Sequence, residues 1–524
     1  MRNEEYKKMK SINLAIVSNI VFDPYIKTSL INSFSKQNIN VNIFSVFIED
    51  YDLMSINEMV TNVDLIFVAL NFERLYPNYP LTLYEGNSGT EEIVNNTINL
   101  SKTIYDCLLT KFYVPVIWLN FEDYYMKFKN IIGNVFCGEY IVDSINLKLQ
   151  ETIHDCIFID LKRLIANVGI FKSYDFKGKY RWSNPYSKEL VESISIEIYK
   201  QYLILHYITK KCIVLDCDQV LWGGILEENG FDCIRIDGGT IGKPFQDFQR
   251  MLLYLYYHGV ILCVCSKNDE SNVLNVFKEH SGMILKEQNI ACFMVNWDNK
   301  PTNIKKISDY LNIGLDSIVF IDDSEEEIAE VNSILPEVFT IKYNNKTIYE
   351  NLTLFSLNQH INLTNVNNRT NAYKTKHTRN ALKKLYQNQE EYLRSLKIII
   401  DIHQSIPSEF LRISELTQKT NKMTNGIRYT FYEIERISKS EYNLFSVFLK
   451  DKFSDFGLVG VIGINGDTLD LFSLSCRAFG KGVEEKMISF IKKYNIKKFI
   501  FQSTSKNDHV YELINKNIKN CQVL

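Results

Sequence analysis

The sequence predicts an α/β protein of three domains: an α/β domain over residues 1–180, a Rossmannoid parallel-sheet domain over 208–345, and an α+β domain over 396–524. A connecting segment, 346–395, joins the last two. Three observations carry this reading. At 524 residues the chain exceeds one ordinary core and suggests about three by the usual domain size. Up to residue 345, short continuous apolar runs alternate with stretches of helical period, the pattern of buried parallel strands covered by helices. From about 397 the pattern changes to strands joined by tight turns.

Taken in order, "INLAIVSNIVF", "VNIFSVFI", "VDLIFVALNF", "VPVIWLNF" and "DCIFIDL" are the strand candidates of the first domain. A helical stretch, "NPYSKELVESISIEIYKQYLILHYITK", leads into the second. There the candidates are "CIVL", "GVILCVCS", "ACFMVNW" and "DSIVFIDD", each ending in a polar cluster at its carboxyl end, the edge where open α/β sheets bind ligands. Residues 343–375 are rich in Asn and Thr, and a helix is expected through "RNALKKLYQNQEEYLRSL". In the third domain "KIIIDIH", "NLFSVFLKDKF" and "GLVGVIGINGDTLDLFSLSC" read as strands, with "ING-D" as a hairpin turn.

Composition narrows the function classes. A charged fraction of 23% and a hydrophobic fraction of 46% describe a globular chain, not a disordered or fibrous one. A net charge of −3 gives no basic field for nucleic acid or an anionic membrane. The 11 cysteines are scattered without a CxxC pair, as expected of reduced thiols, and the histidines show no metal spacing. The N-terminal apolar run is short, is interrupted by Ser18 and Asn19, and reads as a first core strand, not a signal peptide. No segment has the length of a membrane span, so a cytoplasmic location is expected.

The chemistry concentrates in "KCIVLDCDQVLWGGILEENG", residues 211–230. Asp216 and Asp218 follow a strand in a D-x-D arrangement, and residues i and i+2 of an extended segment share a face. One carboxylate can attack phosphorus while the other moves a proton. Like charges that close need a cation or phosphate between them. "VCSKND" adds Ser266, a hydroxyl for a phosphoryl oxygen. "WDNKPTN" adds Lys300, a cation for both the phosphate and the nucleophile. "VFIDDSEEE" adds Asp322 and Asp323, hard oxygen ligands which, with Asp216 and Asp218, form the expected Mg²⁺ site. Only a short helical segment, "PFQDFQRMLLYLYYHG", and a Gly-rich loop separate Asp218 from Ser266, which leaves no room for a large cap domain.

In that order the four motifs resemble the haloacid dehalogenase (HAD) superfamily, and "DQVLWGGILEENG", "SKND", "NWDNKPTN" and "LNIGLDSIVFIDD" resemble its FkbH-like subgroup, subfamily IIIC. The superfamily pattern has a threonine two residues after the second aspartate, where this chain has Val220. The resemblance implies a Mg²⁺-dependent enzyme that takes a glyceryl group from 1,3-bisphosphoglycerate, removes phosphate, and passes the acyl group to the phosphopantetheine thiol of an acyl carrier protein in polyketide or related biosynthesis. Asp216 would be the phosphoryl acceptor and Asp218 the acid/base.

In the last domain "LSCRAFGKGVEEKMISFI" passes through R-x-x-G-x-G at Arg477, Gly480 and Gly482 before an amphipathic helix, a context suited to an anion. It resembles the pyrophosphate loop of GNAT-type N-acetyltransferases, so Arg477, Gly480 and Gly482 would receive the phosphate of phosphopantetheine or coenzyme A. "ELTQKTNKMTNGIRYT", "DKFSDFGLVGV" and "STSKNDHVYELI" carry the same resemblance, and the domain is expected to be shortened after "YELINKN". Cys476, beside Arg477, is either an acyl relay or a packed strand-end cysteine. Cys217 alternates away from the two aspartates and is expected in the core. The first domain resembles the SGNH-hydrolase-like region of the long FkbH-like proteins, without a Ser-His-Asp constellation; Ser18, Asn71 and His154 are expected in structural roles. Two other readings stay open: a Mg²⁺ phosphatase serving a different acyl transfer, such as surface-sugar modification, and a last domain that only docks a carrier protein.

Overall fold

The computed structural model describes residues 10–22, 25–48, 54–57, 62–79, 87–123, 138–206, 210–236, 239–344, 355, 379, 386, 388–504, 507–518 and 521–524. Its contacts divide the chain into two compact units, 1–203 and 204–524. The division falls inside the helix Lys188–Leu205, later in the chain than the expected domain end at residue 180.

The first unit holds a five-stranded sheet. Its strands are β1 (Lys10–Ser18), β2 (Ile39–Phe47), β3 (Leu65–Ala69), β4 (Val116–Leu119) and β5 (Ile157–Ile159), in the order β2-β1-β3-β4-β5. All four pairings are parallel. β3 and β4 are buried at every position, because helices cover both faces and leave no polar side to the strands.

The second unit holds two sheets. In the first, β6 (Cys212–Leu215), β7 (Ile261–Ser266), β8 (Ile290–Val295), β9 (Ile318–Asp322) and β10 (Phe339–Lys342) run parallel in the order β10-β9-β6-β7-β8. Side chains alternate between two cores. Ile213, Leu215, Leu262, Val264 and Ile321 face one; Cys212, Val214, Cys263, Cys265 and Phe320 face the other. Burying each large apolar side chain contributes about 1.5–3 kcal/mol. The central position of β6, between β9 and β7, is what brings their three carboxyl ends side by side.

The other sheet is six-stranded: β11 (Ile399–Gln404), β12 (Tyr442–Lys450), β13 (Asp455–Asn465), β14 (Thr468–Leu474), β15 (Lys498–Phe499) and β16 (Gln522–Val523), in sequence order. The first four are antiparallel and the last two join in parallel. Asn465 pairs with Thr468 across the "ING-D" turn, where Gly466 takes φ 57°, a left-handed value that suits glycine.

Most of the connecting segment lies outside the described residues, and of the expected helix only Gln389–Ser395 is described. Two residues of that stretch are nonetheless anchored. Phe355 packs into the core beside β6. Arg379, 5% exposed, pairs with Asp451 at 2.8 Å and stacks over Phe453 and Phe456. The reading of residues 343–375 as plain connection missed Phe355, and Arg379, the first residue of the expected helix, was given no partner. No described helix is long and apolar enough to cross a membrane.

Candidate active site

Asp216 follows β6 directly, its N–H donating to the Ile321 carbonyl at 3.0 Å, so the β6–β9 ladder fixes the nucleophile candidate against the end of β9. Asp322 is the last residue of β9 and Ser266 the last of β7. Lys300 opens the helix Lys300–Leu311, whose N-cap Asn299 accepts from the Thr302 N–H and whose first turn carries Pro301. Its side chain crosses the sheet end. The ammonium donates to Asp216 Oδ1 at 2.6 Å, to Asp322 Oδ2 at 3.1 Å and to the Cys265 carbonyl at 3.0 Å.

The carboxylates of Asp216, Asp322 and Asp323 offer oxygens that all lie within 4.8 Å of one another. Three carboxylates facing one ammonium leave two negative charges in excess, with Asp216 8% and Asp322 1% exposed. Hard anionic oxygens with that excess fit one Mg²⁺. Burial lifts Asp322 to about 6 against the pull of Lys300, with Asp216 adding to the rise, and Asp323 is raised chiefly by burial. Burial alone would lower the Lys300 ammonium, but Asp216 and Asp322 outweigh it and hold it above its ordinary value.

The Asp218 side chain, expected among the metal ligands, is not one of the three carboxylates of that cluster. Both its oxygens are engaged elsewhere. Oδ1 accepts from Trp222 Nε1 at 2.8 Å and from the Leu226 N–H at 3.1 Å; Oδ2 accepts from Asn268 Nδ2 at 2.9 Å. Burial raises Asp218 from its ordinary value, while those three donors oppose the rise. A raised carboxyl group that is not tied to the lysine is suited to carry a proton, and the paired Asp216 to attack.

The turn after Asp218 places Gln219 at φ 56°, a left-handed conformation uncommon away from glycine and asparagine. A small flap follows. Gly223 pairs with Arg235, and the Phe245 ring lies 2.9 Å from where a Cβ would stand. Trp222, Leu226, Ile234 and Ile236 pin the flap into the core. Val220 is fully buried and serves packing. Cys217 is also buried in that core, its thiol raised well above normal chiefly by burial, with Asp216 and Asp218 adding to the rise.

The R-x-x-G-x-G loop has the expected backbone. Arg477 lies in the turn Cys476–Ala478, Gly480 and Gly482 take φ 68° and 77°, and Gly482 caps the helix Val483–Ile491. Its anion position is engaged from within, however. The Gly480 N–H donates to Glu484 Oε1 at 3.1 Å, and Lys481 Nζ to the Arg477 carbonyl at 2.8 Å. A second acid, Glu485, shares that first turn. The loop as it stands therefore fits a phosphate poorly, because a carboxylate already holds the amide that would receive it. The Cys476 side chain lies outside the described part.

In the first unit, Ser18 is 3% exposed and exchanges hydrogen bonds with Ile20, and Asn71 caps the helix Phe72–Leu75 while locking to Asn19. His154 precedes β5, at the amino edge of a parallel sheet whose carboxyl edge carries Ser18. The three are not brought together as a triad.

The sheet order and the ring of carboxylates around a buried lysine define a class of fold. No family model matches the sequence, and no curated protein matches it. Among solved structures the chain is similar to the N-terminal part of protein BF1531 from Bacteroides fragilis, containing a phosphatase domain and complexed with Mg. The TM-score is 0.57 at 22% identity, covering 67% of this chain and 94% of that one. An uncharacterized protein from Corynebacterium glutamicum (12% identity, TM-score 0.21, 29% of this chain and 98% of that) and a GDSL-like lipase candidate from Parabacteroides merdae (15%, 0.23, 36% and 96%) are too dissimilar to bear on it. The first likeness shows the fold that the two chains share.

Because Asp322 is raised, it favours the folded metal-free protein fully below the unfolded carboxylate value, about 4, and that contribution is lost as pH rises through about 6. A divalent ion held by the three carboxylates would reverse the loss. The rise in Tm on adding Mg²⁺ is therefore expected to be larger at pH 7.5 than at pH 5, and absent in Asp322→Asn; differential scanning fluorimetry reads both.

Proposed function

We propose that the chain is a Mg²⁺-dependent HAD-type phosphatase working through a phosphoryl-aspartate. The observation that carries this is the division of labour between Asp216, paired with Lys300, and Asp218, held apart by three other donors. An Asp216 oxygen attacks phosphorus while the bond from phosphorus to the leaving oxygen breaks and Asp218 gives its proton to that oxygen. Asp218 then takes a proton from water as the water attacks, freeing phosphate and restoring Asp216. Lys300 keeps Asp216 oriented and balances its charge, and Ser266 donates to a phosphoryl oxygen. Mg²⁺, held by Asp216, Asp322 and Asp323, supplies charge neutralisation when bound.

The finer reading rests on the FkbH-like resemblance of the motifs. The donor is an acyl phosphate such as 1,3-bisphosphoglycerate. The phosphopantetheine thiol of an acyl carrier protein attacks its acyl carbon, the bond to the acyl-phosphate oxygen breaks and inorganic phosphate leaves with the thiol's proton. The Asp216 step removes the remaining ester phosphate, so that a glyceryl group is left on the carrier. Glu484 at the R-x-x-G-x-G loop favours the other order of events, in which the last domain docks the carrier and does not itself hold the phosphate. Incubation of the chain with Mg²⁺, 1,3-bisphosphoglycerate and phosphopantetheinylated carrier, followed by intact-mass analysis, tests it. A carrier heavier by one glyceryl group supports transfer; released phosphate with unmodified carrier leaves the phosphatase alone.

A further inference from the structure

Asp218 is oriented from two sides, and one of them was not anticipated by any motif role. Trp222 and the Leu226 N–H, both from the flap, direct two donors at Oδ1. Among the described residues Oδ2 receives a single donor, the Asn268 amide, and retains a lone pair that can carry a proton. Asn268 is 2% exposed, and the same Nδ2 donates to Ser266 Oγ at 3.1 Å. The ionised Asp218 only accepts, so in that form the amide presents its nitrogen, as the 2.9 Å hydrogen bond has it. The consequence is that Asn268 Oδ1 is buried with no hydrogen-bond partner among the described residues. A fold that leaves an amide oxygen unsatisfied gives up stability there, and such sites cluster where function needs the geometry. Ser266, having accepted from Asn268, turns its own O–H away from the amide. The Cys217 thiol beside it is a weak acceptor that yields to a phosphoryl oxygen.

We propose that Asn268 is a positioning residue: its single amide aims Asp218 Oδ2, the oxygen that delivers the proton, and sets the Ser266 hydroxyl toward the phosphoryl group. This rests on the phosphatase reading above. It commits the role to one atom. As phosphorus bonds to Asp216 and its bond to the leaving oxygen breaks, the proton on Asp218 Oδ2 passes to that oxygen, and Asn268 holds Oδ2 within reach.

A leaving group that departs easily as an anion needs little help from that proton, whereas a poor one depends on it. The experiment compares 2,4-dinitrophenyl phosphate with phenyl phosphate in the Mg²⁺-loaded full chain, for wild type, Asn268→Ala and the shape-keeping Asn268→Leu. Melting curves with and without Mg²⁺ establish that each variant is folded and binds the ion. The expected result is a loss in kcat of about 10–100-fold on phenyl phosphate and under about 3-fold on the activated ester. The Trp222 indole N–H resonance, assigned by its absence in Trp222→Phe, is expected to move in both Asn268 variants as Asp218 loosens. Equal losses on the two esters, or no loss on either with an unmoved indole resonance, would overturn the positioning role. A wild-type protein that hydrolyses neither ester would instead remove the phosphatase reading, and this inference with it.

Discussion

Asp216→Asn is expected to lower Mg²⁺-dependent phosphate release by at least about a thousand-fold while the chain stays folded. Asparagine keeps the shape and can still meet the Lys300 ammonium through its carbonyl oxygen, so packing around the end of β6 is preserved. What it loses is the nucleophile. An amide oxygen does not form the acyl phosphate, and the substitution also removes one of the three carboxylates that fit the ion. Phosphate release measured over a Mg²⁺ titration separates these effects. If Asp216→Asn recovers near wild-type turnover at saturating Mg²⁺, Asp216 is a ligand only and the phosphoryl-aspartate falls.

Lys300→Met is expected to do the opposite kind of damage. It keeps a long apolar stem but leaves Asp216 and Asp322 buried without their cation, and breaking such a pair typically destabilises by about 3–5 kcal/mol. Activity is lost as well, since nothing then balances Asp216. The charge logic makes a second expectation. Adding Asp322→Asn to Lys300→Met removes one of the two exposed-to-nothing carboxylates, and the double variant melts at a higher temperature than Lys300→Met alone. Chemical denaturation of the four proteins without metal gives the coupling. Simple additivity would mean that the lysine and the aspartate do not act as a unit.

How much of this was legible beforehand depends on what kind of signal each residue left. Asp216, Ser266, Lys300 and Asp322 stand at strand ends or at a helix start, and apolar runs with polar stops mark such places in any α/β sequence. Asn268 and Trp222 lay inside quoted motifs, "SKND" and "DQVLWGG", yet nothing in one dimension says that an amide two residues past Ser266 reaches back to Asp218. Arg379 gave no signal at all, because its partner Asp451 is 72 residues away. Glu484 carried no reading of its own in the R-x-x-G-x-G loop, and only its hydrogen bond from the Gly480 N–H shows what it holds.

The sequence by itself determined the strands, since runs such as "CIVL" and "SIVFID" have no other way to bury themselves, and it determined which residue types would stand at their ends. The tertiary structure decided which carboxylates share a cation. Strand order put β6 between β9 and β7, so Asp216 and Asp322 meet over one lysine, while the flap turned Asp218 to Trp222 and Asn268. The reason is physical: periodicity is a local property that fixes which way a side chain leaves the backbone, whereas a carboxylate's partners come from whichever strands and turns pack beside it.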